Sequence, residues 1–68
     1  MTIIKDLRLK KGITQSELAA LCGVHQTAVS QWEKGRTSPD SESLKILASV
    51  LGVSVGHLIG GEDIGGNV

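Results

Sequence analysis

The chain has 68 residues, seven of them basic and seven acidic, with one Trp and no Phe or Tyr. That length supports one domain with a modest aliphatic core, marginally stable unless it dimerises. Zero net charge counts against a non-specific nucleic-acid binder, which needs a strongly basic surface, and 40% apolar residues with a mean hydropathy of +0.09 point away from disorder.

Residues 2 to 11 read as a first helix. Ile3, Ile4 and Leu7 share a face, Thr2 is placed to cap it, and Gly12 ends it. Arg8 lies one turn beyond Ile4 and so points partly inward. Lys5, Arg8, Lys10 and Lys11 face a single Asp6 in this segment. A local positive patch can therefore exist on a neutral protein.

Ile13 closes the loop onto the core. A second helix is expected over Gln15 to Cys22, with Thr14 as N-cap and Glu17 completing a capping box. Leu18, Leu21 and Cys22 form its apolar stripe. Cys22 on that stripe reads as a small buried hydrophobe, with a reactive thiol as the second reading. Gly23 stops the helix and Val24 plugs the turn. A third helix runs from His25 or Gln26 to about Lys34, with Val29 and Trp32 inward and Gly35 as its stop. Two helices this short are not stable alone and must rest on something else.

The opposite face of the third helix is the informative one. At about 100° per residue, Gln26, Thr27, Ser30 and Gln31 fall within an arc of roughly 140° away from Val29 and Trp32. All four are polar and uncharged, whereas a merely solvated face usually carries Glu, Lys and Arg. Such a face supplies the donors and acceptors that base edges in a DNA major groove require: Gln pairs with adenine N6 and N7, and a Thr methyl packs on a thymine methyl. The plainer reading is ordinary surface polarity.

Gln15 to Lys34, through Gln15, Ala19, Gly23, Val24, Val29, Trp32 and Glu33, resembles the helix-turn-helix of the Cro and phage-repressor family, also called the xenobiotic-response-element family of regulators. The flanks KGITQSELA and GRTSPDSESLKILASVLGVSVGHLIGG resemble it too. The resemblance spans residues 3 to 61. It implies an all-α, compact five-helix bundle of the lambda-repressor-like type, with helices 2 and 3 as the helix-turn-helix. It also implies that Arg8 pairs with Glu33, tying helix 1 to helix 3; two independent surface charges are the alternative.

Gly35 to Pro39 is a loop of turn formers. In the resembled family this loop lies beside the DNA backbone, so Arg36, Thr37 and Lys34 are candidate phosphate contacts, although solvated loop charges would look the same. Gln15, at the start of helix 2 among unpaired backbone N–H groups, is a fourth candidate. Gln26, Thr27 and Gln31 are the first candidates for base contacts, followed by Ser30 and His25. His25 has two equal readings, a DNA contact or a poor N-cap.

A fourth helix is expected over Ser41 to Leu51. Asp40 caps it at Ser43, Leu44, Leu47, Ala48 and Leu51 form its stripe, and Gly52 stops it. A fifth, Val55 to Ile59, is capped by Ser54 and turns Leu58 and Ile59 inward. Gly56 and His57 depart from the resembled family, which favours an acidic residue early in this helix. Residues 1 to 60 make the expected domain; 61 to 68, with four glycines from Gly60 onward, read as a flexible tail or the start of a linker.

No enzyme motif stands out. Cys22 and His25 offer two ligands where a zinc site wants four, so no metal or cofactor is expected. No signal peptide or membrane span is evident, which suggests a cytoplasmic chain with no membrane partner, and no small-molecule substrate is evident. One helix reads few base pairs, so the expected active form is a homodimer on a palindrome in double-stranded DNA, repressing transcription. By analogy with the family, its dimer surface lies toward the loop before helix 5 and the C-terminal end. The rival readings are the DNA-binding antitoxin of a toxin–antitoxin pair, and a protein-interaction module with this fold but no DNA role.

Overall fold

A computed structural model describes residues 1 to 60. They form five helices: α1 (Thr2–Lys11), α2 (Gln15–Cys22), α3 (Gln26–Lys34), α4 (Ser41–Leu51) and α5 (Val55–Gly60). No strand occurs among the described residues. This is the all-α, five-helix bundle expected from the sequence. The proposed tail, 61 to 68, lies outside the described residues.

Each boundary has a local cause. Thr14 Oγ1 accepts from the Glu17 amide at 3.0 Å, and Glu17 Oε1 accepts from the Thr14 amide at 2.8 Å, so two of the orphan donors at the start of α2 are satisfied reciprocally. Asp40 Oδ1 accepts from the Ser43 amide at 2.9 Å and caps α4. That amide, and after it the Ser43 hydroxyl, hold the Asp40 carboxyl below its ordinary value. At the end of α2, Gly23 takes φ 71°, a conformation that costs a side-chain-bearing residue about 1–2 kcal/mol. This reversal lets the Val24 amide reach Ala19 O at 3.0 Å and the Gly23 amide reach Ala20 O at 3.2 Å, closing the last turn.

The core is almost wholly aliphatic. Ile4, Leu18, Ala19, Cys22, Val29, Leu47, Ala48, Leu51 and Leu58 are buried together with Trp32. Burial pushes the Cys22 thiol pKa up, which suppresses the thiolate. α2 and α3 pack against each other most extensively, and α1 and α4 close over them. Ala19, 2% exposed, is small where the helices approach.

Three local expectations are corrected. Leu21 is 56% exposed, so the α2 stripe consists of Leu18, Ala19 and Cys22 without it. The bundle covers only a narrow strip of so short a helix, and Leu21 falls beyond its edge. Ile59 is 64% exposed, because α5 buries one side chain, Leu58, and the next residue points about 100° away from it. Thr2 is the first residue inside α1, not its cap; the N-cap is Met1, whose side chain makes no capping hydrogen bond.

Candidate nucleic-acid interface

The turn between α2 and α3 sets the site. Val24 packs against the core from within it, and α3 then runs along the surface with Val29, Trp32 and Glu33 buried. The residues between those inward positions face out: Gln26 and Thr27 are exposed, while Ser30 and Gln31 are half-buried. The four uncharged polar side chains therefore lie together along one side of a helix that the rest of the bundle holds from behind.

His25 occupies the N-cap of α3, with extended backbone at φ −74° and ψ 149°, and its side chain makes no capping hydrogen bond. The imidazole is exposed beside the first turn. Lys34, Arg36 and Thr37 are all exposed around Gly35, at the far end of α3. The Arg36 amide donates to Gln31 O at 3.0 Å, which fixes where the loop leaves the helix. Candidate polar contacts thus bracket α3 at both ends.

Behind α3 sits an ion pair. Arg8 Nε donates to Glu33 Oε2 at 2.7 Å, and Arg8 Nη2 to Glu33 Oε1 at 3.3 Å. Arg8 Nη1 donates to Ile13 O at 2.9 Å, tying the α1–α2 loop to the same guanidinium. Both residues are buried, at 8% and 7% exposure, and no buried side-chain nitrogen or oxygen among the described residues lacks a partner. Burial pushes the Glu33 carboxyl pKa up, but the hydrogen bonds from Arg8 and Gln15 and the charges of Arg8 and Lys5 outweigh it, so the net shift is below the ordinary value.

Gln15 is not a lone side chain at the start of α2. Its Nε2 donates to Glu33 Oε1 at 2.9 Å, and its Oε1 accepts from Gln26 Nε2 at 2.7 Å. The polar chain therefore runs Arg8, Glu33, Gln15, Gln26, from the interior of α1 to the exposed start of α3. Reading the sequence missed this link. Its only signal was that Gln15 and Gln26 each open one of two helices joined by a tight turn.

Among the described residues no group of three or more His, Cys, Asp or Glu side chains could hold a metal ion. No helix there is long and apolar enough to cross a membrane. What the surface offers is a polar, uncharged helix face with two cations, Lys34 and Arg36, at its far end.

This fold and surface define a helix-turn-helix protein. A family model described as Helix-turn-helix matches residues 4–58, and the chain belongs to that family, of the Cro and phage-repressor type. It is 38% identical over 61 residues to the HTH-type transcriptional activator BcrR of Enterococcus faecalis, covering 90% of this chain and 30% of BcrR. It is 37% identical over 59 residues to the repressor protein C2 of Salmonella phage P22, covering 87% of this chain and 27% of C2. It is 36% identical over 56 residues to the cryptic phage CTXphi transcriptional repressor RstR of Vibrio cholerae, covering 82% of this chain and 50% of RstR. The chain thus spans half or less of each of these three relatives. No solved structure matches it.

Proposed function

We propose that this chain binds double-stranded DNA sequence-specifically and regulates transcription, most simply as a repressor. The observation that carries the reading is the outward face of α3, where Gln26, Thr27, Ser30 and Gln31 stand together on a helix anchored from behind. With α3 in the major groove and α2 across the backbone, Gln26, Thr27 and Gln31 read base edges, with Ser30 and His25 beside them. Gln15, Lys34, Arg36 and Thr37 meet phosphates and hold the register. An interaction module would be expected to expose apolar residues on this face, and it is polar.

One α3 helix reads too few base pairs for useful specificity. The working form is therefore a two-fold dimer on a palindrome, with half-sites about one helical turn apart. Exposed Ile59, beside a hollow lined by Met1, Ser38, Pro39 and Leu44, gives the α5 end an apolar patch suited to the second copy. A dimer seated on an operator blocks polymerase with no further machinery, which favours repression. The relatives' names include both repressors and an activator. Acting on the chromosome requires a cytoplasmic protein.

The test is selection from randomised duplex DNA with this chain at near-physiological salt. A recovered palindrome supports dimeric, sequence-specific binding. No motif, either from the chain or from its fusion to a leucine zipper, overturns the reading. Placing the recovered site over a reporter promoter then separates repression from activation.

A further inference from the structure

We propose that Glu33 is a positioning residue for base readout: acting through Gln15, its carboxylate sets which way the Gln26 amide faces the groove. This rests on the DNA-binding reading above and adds a specificity role to what would otherwise be a structural ion pair.

The polarity of the chain comes from hydrogen-bond chemistry. An ionised carboxylate only accepts, so the Gln15 group 2.9 Å from Glu33 Oε1 must be its NH2. The Gln15 carbonyl oxygen therefore points to Gln26, and the Gln26 group 2.7 Å away must be its NH2. One Gln26 N–H is used inward. The other N–H and the carbonyl oxygen are left outward: one donor and one acceptor, the pattern that pairs with adenine N7 and N6. Guanine presents two acceptors, O6 and N7, and matches a donor–acceptor pair poorly. A buried charge thus selects adenine at a base it never touches.

The anchoring end is asymmetric, which makes the proposal testable by a single atom exchange. Glu33 Oε2 takes the short 2.7 Å bond from Arg8 Nε, whereas Oε1 takes a longer 3.3 Å bond from Nη2 together with the bond from Gln15. In Glu33→Gln the amide oxygen stays on the Oε2 side, because Arg8 can only donate. The new NH2 then faces Gln15. The Gln15 amide must turn its oxygen inward and its NH2 outward, and Gln26 must turn its oxygen toward Gln15. Both Gln26 N–H groups then face the groove, and two donors suit guanine.

The experiment is the same randomised-duplex selection, run in parallel on the full wild-type chain, Glu33→Gln and Gln15→Met, with folding checked by circular dichroism. The wild type is expected to enrich adenine at the base pair that Gln26→Ala identifies. Glu33→Gln is expected to shift the adenine-to-guanine ratio there toward guanine by about tenfold, the scale of one bidentate contact, and to leave the other positions unchanged. Gln15→Met leaves the Arg8–Glu33 pair in place and severs the chain, so it should flatten the preference at that base pair alone. It decides the matter should Glu33→Gln not fold. A uniform loss of affinity with an unchanged profile, in Gln15→Met or in a folded Glu33→Gln, overturns the positioning role. A wild-type chain that enriches no motif, either alone or fused to a leucine zipper, overturns the DNA reading itself, and the positioning role with it.

Discussion

The chain makes nearly the same turn three times, after α1, α2 and α4, and the last two have different results. Gly23-Val24-His25 joins α2 to α3, and Gly52-Val53-Ser54 joins α4 to α5. Both glycines are left-handed, at φ 71° and 76°, and both valine amides return to the preceding helix, at 3.0 Å and 2.9 Å. The difference lies in the cap and in the helix beyond it. Ser54 Oγ accepts from the His57 amide at 3.0 Å, whereas His25 offers no side-chain cap. α5 fully buries only Leu58, with Val55 partly buried against the core, whereas α3 is held by Val29 and Trp32 and by the polar chain from Arg8. A generic turn sets the crossing of two helices; the residues after it decide whether the second helix merely closes a bundle or presents a surface.

Removing the anchor of α3 should have the largest effect. Arg8→Met or Glu33→Met alone strands a buried charge, with an expected cost of about 3–5 kcal/mol in urea unfolding, while the double variant costs much less than the sum. Strictly additive losses would mean the pair is not coupled. The same anchor makes stability depend on acid. Because the folded-state pKa of Glu33 is depressed, its contribution is fully present above the unfolded value of 4.5 and is lost as pH falls through the folded value. Acid titration of thermal stability should show that loss weakened in the double variant.

Next in size are the turns themselves. Gly23→Ala and Gly52→Ala should each cost about 1–2 kcal/mol from backbone strain alone, since a Cβ at Gly23 meets nothing within 4 Å and one at Gly52 meets only the end of Lys11 at 3.9 Å. Markedly unequal losses would show that the two turns are less alike than their geometry. Swapping the caps tightens the contrast further. Ser54→Ala should cost about 1 kcal/mol, and His25→Ser should raise stability by a similar or smaller amount, both read by thermal melts.

The smallest effects concern binding. Lys34→Ala and Arg36→Ala should each lower the salt slope of DNA affinity by about one while leaving the base-preference profile unaltered.

Much of the fold was legible because it is encoded locally. Thr14 with Glu17, Asp40 with Ser43, and the helix-stopping glycines act within a few residues, so helix boundaries could be read from types and spacing. The two misplaced apolar residues show where local reasoning stops. Leu21 sits at a spacing that suits a buried stripe, yet whether a position on a helix is covered depends on how wide the neighbouring helices are. Ile59 fails for the same reason on a helix that buries one side chain.

Five helices among the described residues, the caps of α2, α4 and α5, an aliphatic core and a third helix with an uncharged polar outer face were set by residue order, because propensity, capping and hydrophobic period are short-range. The joining of Glu33 to Gln26 through Gln15 was settled only by the packing of the folded chain. The network that includes that link spans residues 8 to 33 and needs side chains from three helices to meet within hydrogen-bond distance, and no periodicity along a chain specifies which polar groups converge once the helices cross.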